Sequence, residues 1–107
     1  EVIERYDGGD KKVVGYYDGE GSNEVIVKRV HYYSQIDGGK KEKEENFKNG
    51  ELEGKYYEWK RDGNKRFEYN YKNGKLDGEY KLWIDNDLRG HVIYKNGVVI
   101  EVKLLKR

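Results

Sequence analysis

The chain has 107 residues, with 22 Lys and Arg against 21 Asp and Glu for a net charge of +1, and it contains no Cys. That length suits a single domain, and so small a net charge removes the long-range field that draws proteins to phosphate backbones, so nucleic acid is not an expected partner. A charged fraction of 40% and a mean hydropathy of -1.18 would fit disorder were it not for 11 Tyr, 2 Trp and 2 Phe; disordered chains are poor in such rings, and a thin sheet held by aromatics fits better than a thick aliphatic core.

Residues 1–46 read as worn copies of a unit that is clearer farther along. Gly15-Tyr16-Tyr17-Asp18-Gly19 has an aromatic-then-glycine order, residues 25–33 predict one longer strand, and Ile36-Asp37-Gly38-Gly39 predicts a turn. The run Lys40-Lys41-Glu42-Lys43-Glu44-Glu45 has helical propensity but stands where a return strand is due, and a solvated strand is the expectation.

From residue 47 the repetition is explicit. Phe47-Lys48-Asn49-Gly50-Glu51-Leu52-Glu53-Gly54 matches Tyr71-Lys72-Asn73-Gly74-Lys75-Leu76-Asp77-Gly78 at an offset of 24 residues. A third copy opens 23 residues later at Tyr94-Lys95-Asn96-Gly97, then departs into Val98-Val99-Ile100. Self-similarity at a near-fixed period marks a repeat fold. Each Asn-Gly pair tolerates positive φ at both central turn positions, so three type I′ hairpins are predicted. The second glycines, Gly54 and Gly78, predict a bulge or a close backbone approach. Between units, Arg61-Asp62-Gly63-Asn64 predicts the opposite turn; its counterpart is Asp85-Asn86-Asp87-Leu88, with Asp87 in the place of Gly63 and expected to tolerate the left-handed conformation there. Phe67, Tyr69 and Tyr71 alternate with Arg66, Glu68 and Asn70, the period of a half-buried antiparallel strand. Residues 98–107, in which Val98, Ile100, Val102 and Leu104 alternate with Val99, Glu101, Lys103 and Leu105, predict a terminal strand capping the stack.

The order aromatic-x-Asn-Gly-x-Leu-acid-Gly-x-Tyr-x-x-Trp in residues 47–97 resembles the MORN repeats, most closely their bacterial variant in the YwqK antitoxin family. The resemblance implies an all-β fold, an elongated, twisted antiparallel sheet of stacked β-hairpins. Residues 1–107 then form one repeat domain, with degenerate repeats in 1–46 and clear ones in 47–97. It also implies binding rather than catalysis. Lipid-surface attachment, scaffolding and toxin neutralisation are roles within the family, and no active site transfers with the repeat.

The inventory for chemistry is thin: Ser only at Ser22 and Ser34, His only at His31 and His91, and no Thr. Ser34 and His31, three residues apart, would point to opposite faces of a strand. Glu44 with Glu45, and Asp85 with Asp87, are read as solvation and turn chemistry rather than glycosidase carboxylates. Asp18-Gly19-Glu20-Gly21-Ser22-Asn23 departs from a calcium loop at its sixth position and again at the twelfth, Arg29. No enzymatic activity, cofactor or metal is expected. No run approaches the roughly 20 apolar residues of a membrane span. Without Cys the composition is silent on the compartment, which is either the cytoplasm or the outside after loss of a signal peptide.

Tyr56, Tyr57, Trp59, Tyr80 and Trp83, interleaved with Lys55, Lys60 and Lys81, form the candidate partner-binding set. Rings that recur once per unit serve inter-repeat packing first. Tyr57, whose equivalent is Lys81, is not required by that packing and is the sharper interface candidate. Tyr56 and Trp59 are an odd number of residues apart, as are Tyr80 and Trp83, which puts them on opposite faces unless a bulge intervenes. The expected function is a non-catalytic protein-binding module, antitoxin- or immunity-like in type, using a sheet face or the open sheet edge. One alternative is attachment to an anionic lipid surface through residues 47–107, which carry 14 basic and 10 acidic side chains against 8 and 11 in residues 1–46. Lysines alternating with acids make a membrane surface the weaker partner. Glycan binding by ring stacking is the other alternative.

Overall fold

The computed structural model describes residues 1–103. Ten strands follow one another: β1 (Val2–Arg5), β2 (Lys11–Asp18), β3 (Val25–Tyr32), β4 (Lys41–Lys48), β5 (Glu51–Trp59), β6 (Lys65–Lys72), β7 (Lys75–Leu76), β8 (Gly78–Ile84), β9 (Asp87–Lys95) and β10 (Val98–Val102). Each pairs antiparallel with its neighbour in the order β1-β2-β3-β4-β5-β6-β8-β9-β10, and the short β7 also pairs with β6. The sheet is open, with β1 and β10 at its two edges. The fold is therefore all-β and built of consecutive hairpins, as expected from the sequence.

Turn chemistry accounts for the hairpins. Asn49 and Gly50 have φ of 51° and 80°, Asn73 and Gly74 50° and 79°, and Asn96 and Gly97 50° and 81°, the double left-handed geometry of a type I′ turn. The opposite turn of the second clear unit differs from the expectation for Asp87. There the left-handed residues are Asp85 (φ 50°) and Asn86 (φ 68°), and Asp87 begins β9 opposite Ile84. The connection has contracted to a two-residue turn, which explains why the repeat shortens from 24 to 23 residues.

Gly54 and Gly78 mark bulges. On β4, Glu45 pairs with Tyr56 and Phe47 with Leu52, so Asn46 alone faces Glu53, Gly54 and Lys55. Gly54 has φ +86° with open space around a would-be Cβ, whereas at Gly78 (φ +100°) that Cβ would lie 3.4 Å from the Asn70 Cβ. Backbone conformation is the common demand.

The first half belongs to the same sheet. The charged run lies in strand β4 from Lys41 to Glu45, with Lys40 just before it, and all of residues 25–33 but Tyr33 lie in β3. The Ile36 turn is a single 3-10 turn over Gln35–Asp37, closed by left-handed Gly38 and Gly39. β10 ends at Val102, and the predicted continuation through Leu104 and Leu105 lies outside the described residues.

The sheet is one layer thick. The molecule measures 46 × 35 × 14 Å, whereas two stacked sheets alone need about 10 Å between their mean planes plus side chains on both outer faces. Its radius of gyration is 15.9 Å, against about 13 Å for a compact chain near this length. Val13 and Val30 are the only buried apolar side chains among the described residues. Cohesion therefore rests on ladder hydrogen bonds and cross-strand side-chain pairs, each worth about 0.2–1 kcal/mol.

Candidate functional site

Register separates the aromatic side chains into two sets. Tyr56 faces Tyr69 across β5 and β6, and Gly54 faces Tyr71. The Tyr56 and Tyr69 rings stack at 5.1 Å with planes 9° apart, and Tyr69 stacks on Tyr80 at 4.5 Å and 8°. Phe67, Tyr71 and Tyr94 flank this ladder in tilted or edge contacts. Strand alternation puts these rings on one face because they occupy every second position of β6 and the matching positions of its neighbours. Burial, then a hydrogen bond to Glu58, pushes the Tyr56 hydroxyl well above its ordinary pKa; burial and then Tyr80 do the same for Tyr69. The Tyr56 hydroxyl donates to Glu58 Oε2 at 2.8 Å. Of the candidate residues, Tyr56 and Tyr80 belong here, as structural rings joining successive units.

Tyr57, Trp59 and Trp83 lie on the opposite face. The odd spacing of Tyr56 and Trp59 is thus realised as opposite faces, without inversion by a bulge. Tyr57 stacks on Trp59 at 5.4 Å and 23°. The Lys65 ammonium sits 5.2 Å from the Tyr57 centroid and 5.6 Å from that of Trp83, while Lys41 lies 5.9 Å from Trp59. Cations over ring faces hold the rings in place by quadrupole attraction. Glu68 anchors Lys65 at 2.9 Å and Lys55 at 3.6 Å. Burial alone would raise the Glu68 pKa, but the Lys65 hydrogen bond and the charges of Lys65, Lys55 and Lys81 bring it below the ordinary range. The result is a half-buried ring platform rimmed by ordered lysines. An open cleft of about 330 Å³ is lined by Phe67 and Leu82, paired across β6 and β8 on the tyrosine-ladder face, together with Lys60, Arg66, Ile84 and Asp85; Trp83 is the one platform ring that borders it.

The carboxylates need one correction. Glu45 is not a solvated strand residue: it is 8% exposed, and its carboxylate accepts from Arg29 Nε at 3.0 Å and His31 Nε2 at 2.8 Å. Because the acceptor is a carboxylate, Nε2 carries the ring proton. Desolvation works to raise the Glu45 pKa, and the hydrogen bonds from Arg29 and His31 overcome it and hold the group below the usual range. Ser34 and His31 are not brought together by their side-chain bonds; Ser34 Oγ donates to Asp37 Oδ2 at 3.1 Å. Among the described residues no three His, Cys, Asp or Glu side chains converge as metal ligands.

Two inter-repeat clasps were missed in the sequence. Asn46 Nδ2 donates to the Lys55 carbonyl at 2.8 Å and Asn70 Nδ2 to that of Glu79 at 2.9 Å, filling the ladder gap at each bulge. Their shared 24-residue offset was the available signal. Along the opposite turns, the Tyr6 hydroxyl donates to the Tyr32 carbonyl and the Tyr33 hydroxyl to that of Trp59, both at 2.7 Å and both 26 residues on. The two tyrosines thus make matching side-chain-to-backbone contacts, one within the first half of the sheet and one joining it to β5.

Comparison with protein-family models, with curated proteins and with solved structures found no match to this chain.

Proposed function

We propose that this chain is a MORN-like repeat module that binds a protein partner without catalysis, antitoxin-like in type, through the Tyr57, Trp59 and Trp83 face. The observation that carries the reading is the position of Tyr57. Its repeat equivalent is Lys81, and the tyrosine ladder that joins the units runs along the other face. A ring dispensable for stacking is nevertheless held against Trp59 and under Lys65. Preordered aromatic side chains lose little entropy on association and dominate interface energetics.

The test is co-expression of the chain with the product of its neighbouring gene, followed by co-purification and a growth assay. The expected result is a stable complex and relief of toxicity, both abolished by Tyr57→Lys. Absence of a complex rejects the antitoxin reading. The flat Tyr57–Trp59 stack also favours a second reading, glycan binding, since sugars stack on such rings; a glycan array without signal rejects it.

A further inference from the structure

We infer that the outer edge of β10 is a self-association site, where a second copy of this chain pairs antiparallel about a two-fold axis through Val102. This does not depend on the ring platform. The two sheet edges differ in kind. β1 has four residues, two register irregularities and the charged Glu4 and Arg5, with Glu4 bound to Lys12 at 3.5 Å; short, bulged, charged edges resist pairing. β10 carries Val98, Val99, Ile100 and Val102 with 63%, 46%, 61% and 66% of their surface exposed. Among the described residues no strand pairs with the outer side of β10, and an apolar edge strand is a template for another strand.

The edge is not shaped to receive another hairpin of the same repeat. In the two clear units the acid after the leucine accepts from the backbone of the next turn: Asn73 N–H donates to Glu53 at 3.0 Å and Asn96 N–H to Asp77 at 3.2 Å. The glycine that follows each acid is left-handed. In the third unit these two places are held by Ile100 and Glu101. Ile100 offers no carboxylate to a following turn, and Glu101 is no glycine.

Register then selects the occupant. Lys103 N–H donates inward to the His91 carbonyl at 2.8 Å, so alternation along an antiparallel ladder directs the N–H and C=O of Val102 outward. Two copies that exchange hydrogen bonds at Val102 place Glu101 of each directly across from Lys103 of the other. Opposite charges in that position are stabilising. A symmetric pairing centred on Ile100 instead sets Glu101 against Val99 and puts the bulge on the axis. Val102 faces Val92, which faces Tyr80, the end of the tyrosine ladder; the pairing about Val102 continues this row across the axis. Because β1 is blunted, association closes as a dimer rather than growing head to tail. One strand pair buries less than the roughly 1,600 Å² of a standard interface, so the dimer is a weak one.

Sedimentation of the full chain over a concentration series tests this. The expected result is a reversible monomer–dimer equilibrium. Glu101→Lys, which makes two like-charge pairs, weakens it about tenfold or more. The double variant Glu101→Lys with Lys103→Glu restores it, because the pairs re-form with signs exchanged. Val102→Cys, the sole thiol in the chain, gives a disulfide-linked dimer on oxidation, since the roughly 5.5 Å Cα separation of a hydrogen-bonded pair lies within disulfide range. A chain that is monomeric at every concentration, a Glu101→Lys variant that associates as the parent does, or a double variant that stays as weak as the single one overturns the proposal.

Discussion

Replacing Glu45 with Gln keeps the shape of the side chain and one acceptor oxygen while removing the charge that Arg29 and His31 grip at 3.0 and 2.8 Å. Hydrogen bonds to charged partners contribute about 1.5–3 kcal/mol each in protected settings. Here the Arg29 side chain is 38% exposed and that of His31 20%, so water replaces part of what is lost, and the expected net loss at neutral pH is about 2 kcal/mol. For a chain of this size that lowers the melting temperature by roughly 10 °C. Linkage fixes the pH dependence. The folded-state pKa of Glu45 lies below its unfolded value, so its contribution is fully present above the unfolded pKa of about 4.3 and is lost as pH falls through the lower folded value. Urea denaturation of both proteins, followed by circular dichroism between pH 7 and pH 2, is the assay. The stability gap should be constant down to about pH 5 and narrow below about pH 4. A gap that is absent at pH 7, or that widens in acid, refutes the assignment of Glu45 as an ionised anchor.

Other perturbations probe the repeat itself. Asn70→Ala removes the bond to the Glu79 carbonyl and should cost about 1 kcal/mol in urea denaturation, with Asn46→Ala costing a similar amount. Gly78→Ala forces a Cβ into φ +100° and should destabilise by about 1–2 kcal/mol, and Gly54→Ala at φ +86° should do the same although the space around it is open. Tyr56 and Tyr69 have raised pKa values, so phenolate absorbance should show a fraction of the tyrosines titrating later than the rest. The raised values sign the linkage: stability from these hydroxyls is present below the unfolded pKa of about 10 and lost as pH rises beyond it, so denaturant midpoints should fall above that pH.

The repeat was legible in the sequence because its parts are local. Asn-Gly pairs set the hairpins, Gly54 and Gly78 set the bulges, and alternation in β6 set the tyrosine face. What was missed depends on partners distant along the chain. Glu45 looked solvated within a charged run, and only strand register brings it against Arg29 and His31. Asp87 was placed by alignment, whereas the turn shortened by one residue and moved the left-handed conformation onto Asp85 and Asn86. The odd spacing of Tyr56 and Trp59, and of Tyr80 and Trp83, already separated the candidate rings by face, but recurrence once per unit assigned Trp59 and Trp83 to inter-repeat packing. The stacked ladder instead runs through Tyr56, Tyr69 and Tyr80, and Trp59 lies with Tyr57 on the other face.

Tyr57→Lys bears most directly on recognition through the platform, because Lys81 occupies the equivalent place in the next unit and the repeat accommodates it. The variant should melt within about 1 kcal/mol of the parent. Titration calorimetry against the co-purified partner should show its affinity reduced at least about tenfold, as expected for loss of a buried aromatic anchor. A folded Tyr57→Lys protein that binds the partner as tightly as the parent contradicts recognition through the Tyr57, Trp59 and Trp83 face.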